Sequence, residues 1–159
     1  MLRASRVLGP GLFIALACCS LPALAATRTV GPRGAYPKPC AAIGAASDGD
    51  VIEIDAAGSY AGDVCPITKN GLTLRGVNGR PKIDAAGQSS GGKAIWVISG
   101  DDTTVENVEL SGATVADANG AGIRQEGTNL TVRGCVGLKR RRARRKRHSV
   151  SATSPMRAS

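Results

Sequence analysis

Two aspartates stand side by side at Asp101 and Asp102. Adjacent carboxylates are the kind of pair that can divide the acid and base roles of a hydrolysis, one giving a proton while the other takes one. Asp84, inside an Ile-Asp-Ala step, is a third candidate; Glu106, Glu109, Asp117 and Glu126 add further carboxylates, with Arg75, Arg124 and Arg133 as cations. The same residues have a plainer use. Asp101 and Asp102 lie between Gly100 and Thr103 at the entry to a strand, where Asp closes turns by bonding its own backbone, and Asp84 follows an apolar residue in the same way. Turn-making is the favoured reading for all three. The single histidine, His148, lies in an arginine-rich tail, so the body offers no histidine for a metal site or a nucleophile.

Charge separates body from tail. All 12 acidic residues precede Val136, whereas residues 136–159 hold nine Lys and Arg and no acid, so the tail carries the whole formal net charge of +9. The body is close to neutral, and neither nucleic acid nor an anionic membrane is an expected partner for it. Within the tail, Lys139, Arg140, Arg141, Arg142, Arg144, Arg145, Lys146 and Arg147 form a polycationic run without aromatic residues. Any binding there would be charge-driven, sensitive to salt and indifferent to sequence.

The first quarter has a different character. Arg3 and Arg6 precede an apolar stretch from Val7 to Leu24, and Ala23-Leu24-Ala25 places small residues where a signal peptidase reads them. Residues 1–25 are therefore expected to be a signal peptide, which puts the mature chain outside the cytoplasm, secreted or periplasmic, with no membrane span after cleavage. Pro10, Gly11 and Pro22 interrupt the stretch, which argues against a permanent anchor. Of five cysteines, Cys40, Cys65 and Cys135 survive cleavage. In an oxidising compartment Cys40 and Cys65 can pair, leaving Cys135 over.

Between the two ends the sequence repeats. Leu72-Thr73-Leu74-Arg75-Gly76-Val77, Thr103-Thr104-Val105-Glu106-Asn107-Val108 and Leu130-Thr131-Val132-Arg133-Gly134-Cys135 superimpose position for position. The spacing is too long for a hairpin and suits one coil of a solenoid with loop insertions. Short strands are expected between them at residues 82–84, 94–98 and 122–124, bounded by Gly, Asn and Asp, which turn a chain cheaply.

Gly49-Asp50-Val51-Ile52-Glu53-Ile54 with Gly58-Ser59-Tyr60 resembles the first coil of bacterial right-handed parallel β-helix proteins, the pectin-lyase-like group. Residues 71–76, 83–85, 100–107 and 119–124 continue the likeness, which covers about residues 28–135. The resemblance implies an all-β right-handed parallel β-helix with apolar residues turned inward. It implies a short capping helix at residues 40–47, a Cys40 to Cys65 bond that staples cap to coil, and Asn107 hydrogen-bonding along a turn between coils. Enzymes of that group cleave acidic polysaccharides by elimination, using a calcium-binding carboxylate cluster and an Arg or Lys base, or hydrolyse them with clustered aspartates. Calcium enters only through this resemblance; the chain shows no cofactor motif of its own.

Three domains of sequence result: the signal at 1–25, solenoid coils at 26–135, and a basic tail at 136–159 expected to be disordered. The periodicity and the acids stop together at Cys135, as a frameshifted or truncated product would show. The functional expectation is an exported β-helix chain whose parent binds or processes an extracellular or cell-surface polysaccharide, with no complete catalytic site in this piece. A non-enzymatic surface or adhesion solenoid, and polyanion binding through the tail, are the alternatives.

Overall fold

A computed structural model describes residues 24–117 and 120–138. Strand β1 (Thr27–Val30) and helix α1 (Pro39–Ala45) precede a first coil of β2 (Val51–Asp55), β3 (Tyr60–Ala61) and β4 (Cys65–Ile67). A second coil holds β5 (Thr73–Val77), β6 (Lys82–Asp84) and β7 (Ala94–Ile98); a third holds β8 (Thr104–Glu106), β9 (Glu109–Ser111) and β10 (Ala121–Gln125). A fourth begins with β11 (Thr131–Arg133) and β12 (Val136–Leu138). Corresponding strands pair in parallel, giving a first sheet β1-β2-β5-β8-β11, a second β3-β6-β9-β12 and a third β4-β7-β10. The chain is thus a parallel β-solenoid of about four turns with one short helix. Twisted parallel strands favour the right-handed crossing.

The register is the one the repeat implies, with Thr73 opposite Thr104 and Thr104 opposite Thr131. Alternation along each strand then sends every second residue inward. Ile52, Leu74 and Val105 form one fully buried column, Tyr60, Ile83 and Leu110 a second, and Ile67 and Ile98 a third. Each such side chain contributes about 1.5–3 kcal/mol by leaving water. Val132 continues the first column, and 48% of it is exposed because β11 is the last strand of its sheet among the described residues. Parallel pairing does not stop at Cys135: β12 pairs with β9 over Val136–Leu138. A strand this short takes its place from the partner backbone rather than from its own apolar pattern, so the first three residues of the tail expected to be disordered belong to the second sheet. The tail cations, residues 139–147, lie outside the described residues, as do residues 1–23 of the expected signal segment.

The lower end of the core is closed by α1, which starts one residue before its expected position with Pro39 in the first turn, where a missing N–H costs nothing. Its Ala42 and Ile43, with Ala46 beyond its end, are buried in the same core as Ile52 and Ile54. A seven-residue helix is too short to persist alone. Three contacts hold it: the Asp63 carboxylate accepts the Cys40 N–H at 2.9 Å, Lys38 Nζ donates to the Ala61 carbonyl at 2.9 Å, and Cys40 is disulfide-bonded to Cys65. The bond closes a loop with a separation of 25 residues. In the chain-entropy model such a loop contributes about 3.5 kcal/mol. Replacing Cys40 and Cys65 together by Ser is expected to lower unfolding stability by about 2–4 kcal/mol. Denaturant melts of the oxidised parent and the double variant check this; coincident midpoints would show that packing alone secures the cap.

Candidate functional site

The aspartates singled out in the sequence are distributed over two corners of the solenoid. Asp101 belongs to a column at the corner between the third and first sheets. There the Asp48 carboxylate accepts the Asn70 N–H at 3.1 Å, the Asn70 amide oxygen accepts the Asp101 N–H at 2.9 Å, and Asp101 Oδ1 accepts the Thr128 N–H at 2.7 Å and its hydroxyl at 2.8 Å. Each coil hands one side-chain acceptor to the backbone of the next. The following column, Gly49, Gly71, Asp102 and Asn129, has φ of 82°, 65°, 55° and 53°. Glycine adopts this left-handed region freely, and Asp and Asn tolerate it because their short side chains bond locally. Asn129 Nδ2 meets Asp102 Oδ1 at 2.9 Å, stitching the third coil to the fourth.

Asp84 stands at another corner, ending β6. Its Oδ1 accepts the Ala86 N–H at 2.9 Å, and it packs so closely on Gly112, at φ +78°, that a Cβ there would collide with the same oxygen. Asp84 and the Asp101-Asp102 pair are therefore turn builders in different places. Among the described residues no three of His, Cys, Asp and Glu gather as a metal would require. The calcium cluster of the resembled enzymes needs several carboxylates brought together, and Asp84 lies at a different corner from Asp101 and Asp102. Asn107, at φ 53°, donates its amide to the carbonyls of Gly76 at 3.2 Å and Gly79 at 2.7 Å, spanning the turns of two coils.

The repeat puts Arg75 and Arg133 at one position, where they could stack into an exposed basic row or simply form a solvated face, and no basic row forms. Glu53, Arg75, Glu106 and Arg133 stand in that order along the outer face of the first sheet. Arg75 pairs with Glu53 at 2.6 Å and Arg133 with Glu106 at 3.3 Å, so the column alternates in sign and neutralises itself.

A less regular region lies where the second sheet passes to the third. The first coil makes that passage with residues 62–64, while the second uses residues 85–93 and the third residues 112–120. The two longer loops meet where they begin, with the Gly87 N–H on the Gly112 carbonyl at 2.9 Å. They flank the third sheet, in which Pro66, Val97 and Arg124 are register partners in one row, alternating with the inward Ile67 and Ile98; Pro66 and Arg124 are exposed, whereas Val97 between them is buried. At the edge of this row Lys93 pairs with Glu126, and Arg124 Nε approaches the same carboxylate at 3.9 Å. Glu126 is held below the ordinary carboxylate range first by the Lys93 hydrogen bond and further by the charges of Lys93 and Arg124. It stays an anion, and the cluster carries one more cation than anion. The sequence pointed to Arg124 and Glu126 separately. It gave no sign of Lys93, whose approach depends on the length of the second loop.

No family model matches the chain, and no curated protein or solved structure matches it significantly. No helix of the described residues is long and apolar enough to cross a membrane.

The Asp101 carboxyl is kept below its ordinary value of 3.8, chiefly by the Thr128 N–H and then by the Thr128 hydroxyl. A group so strongly ionised is a poor general acid at neutral pH. The unfolded chain binds more protons than the folded one as pH falls below the ordinary value, so stability present above it is lost as pH drops through the folded pKa. Asp101→Asn removes that titration while keeping an oxygen for Thr128. Its stability is expected to fall less steeply than that of the parent between about pH 5 and pH 2. Chemical melts across that window test this, and parallel slopes would contradict the ladder's role.

Proposed function

We propose that this chain is an exported carbohydrate-binding solenoid of the pectin-lyase-like kind, holding an extracellular or cell-surface polysaccharide against its third sheet without cleaving it. The observation that carries the reading is the exposed pair of cations, Lys93 and Arg124, set around Glu126 beside the long loops of the second and third coils. Binding residues concentrate on loops of variable length set on a rigid scaffold. Lys93 precedes β7 of the second coil and Arg124 lies in β10 of the third, so a linear polymer running along the solenoid would meet a cation at each. Lys93 and Arg124 supply cations for acidic sugars, and Arg124 can fork two N–H groups onto one carboxylate.

Cleavage is not part of the proposal. Elimination needs a base beside a bound, charge-neutralised uronate, and hydrolysis needs two carboxylates facing one glycosidic bond. Asp84 sits at a different corner from the adjacent Asp101 and Asp102, and each of the three accepts a hydrogen bond from its own turn or from the next coil. The self-neutralising column on the first sheet favours a second reading, a non-enzymatic adhesion wall, because an alternating column offers no stacked charge of one sign.

The exported protein is expected to retard on polygalacturonate or alginate in affinity electrophoresis. Lys93→Ala with Arg124→Ala should weaken that binding about tenfold, a loss of about 1.4 kcal/mol. Neither polymer should be shortened, with or without calcium. Retardation unchanged in the double variant would move the site elsewhere, and turnover lost in Asp101→Asn with Asp102→Asn would reverse the assignment of those aspartates.

A further inference from the structure

Asp50 is a carboxylate with almost no access to water: 2% of the residue is exposed. Its two oxygens are used differently. Oδ2 accepts Arg28 Nε at 2.8 Å and the Ser47 N–H at 2.9 Å, and Arg28 reaches on to the Tyr36 hydroxyl at 2.9 Å. Oδ1 accepts a single donor, the backbone N–H of Ala26, at 2.8 Å. Ala26 is fixed from its other side as well, since its carbonyl accepts the Val51 N–H at 2.9 Å. One residue upstream that order ends. Ala25 is exposed and outside any strand, and Leu24 is 92% exposed. The peptide bond between Ala25 and Ala26 therefore lies between two exposed residues outside any strand and the first residue hydrogen-bonded into the solenoid. Ala23, Leu24 and Ala25 have the small, large, small pattern that a signal peptidase accepts before its cut.

We propose that Asp50 is the receptor for the α-ammonium group that the expected cleavage between Ala25 and Ala26 releases. In the cleavage, water adds to the Ala25 carbonyl and the C–N bond breaks. Ala25 leaves as a carboxylate carrying the water's oxygen, and the Ala26 nitrogen takes both of the water's protons to become an ammonium at neutral pH. A neutral amide with one hydrogen is thereby replaced, on the same Oδ1, by a cation with three. Charge-assisted hydrogen bonds of this kind are roughly twice as strong as neutral ones. Arg28, the other cation facing the group, is engaged on Oδ2. Because Asp50 also binds Ser47, just past the cap helix, processing tightens the same end of the core that α1 closes. The matured chain is accordingly more stable than its precursor.

The test begins with the full chain exported by a bacterial host and its new terminus read by mass spectrometry; Ala26 is expected there. The α-amino group of that product, followed by the pH dependence of its acetylation rate, should titrate at about pH 9 or higher instead of about pH 8. Asp50→Asn should return it to about pH 8. Acetylating Ala26 in the otherwise unchanged protein should lower its melting temperature by several degrees, which keeps the test open should the Asp50 variant not fold. A terminus at any other residue, an α-amino group titrating at about pH 8 or lower in the parent, or equal melting temperatures with and without the acetyl group would overturn the proposal.

Discussion

Each coil of this chain answers its backbone donors and acceptors with those of the coil before it and the coil after it, in one register that runs from β1 to β12. From that pairing the rest follows. Parallel in-register strands bring like positions together, so apolar residues at one position build a column of core, and turn residues at one position build a column of hydrogen bonds. The corner from Asp48 to Thr128 shows how strictly the rule applies. Asp48, Asn70 and Asp101 differ in charge, yet each places an oxygen within reach of the next backbone N–H. The position selects an acceptor and is indifferent to which residue provides it.

Stacking like positions also stacks like charges, and the chain avoids the resulting repulsion. On the first sheet glutamate and arginine alternate coil by coil, and elsewhere Lys82 faces Glu109 and Lys93 faces Glu126. Exposed pairs of this sort add little stability one by one, but like charges directly opposite would subtract. The consequence for function is that the regular walls are electrically quiet. Net local charge is found where the loops lengthen and Arg124 joins Lys93 around one carboxylate. The irregular corner is thus the place where this fold can acquire a ligand without disturbing its scaffold.

Much of this was legible beforehand. Leu72–Val77, Thr103–Val108 and Leu130–Cys135 superimpose in the sequence because an inward apolar residue two places on from another, with Thr between, is what a stacked strand requires. The structure pairs them without a shift. Strands β3 and β12 were not legible, since two or three residues carry no period. The Asp48 to Thr128 column was hidden for a different reason. Its members are separated by 22, 31 and 27 residues, because the loops that intervene differ in length. Arg75 and Arg133 were assigned correctly to one position, but the glutamate of the intervening repeat converts a basic row into a neutral one. Asp101 and Asp102 read as turn residues from their neighbours alone. What they bond to, Thr128 and Asn129, required the register.

Residue-resolved amide hydrogen exchange bears most directly on that register. Asn70, Asp101 and Thr128 lie in exposed turns, where unbonded amides exchange freely. If their N–H groups are held by the side chain of the preceding coil, all three should be protected, and should open together with core amides such as those of Leu74 and Val105 as one cooperative unit. Exchange of these three amides at the rate of free loop residues, while the strand amides remain protected, would contradict the coil-to-coil ladder on which this account rests.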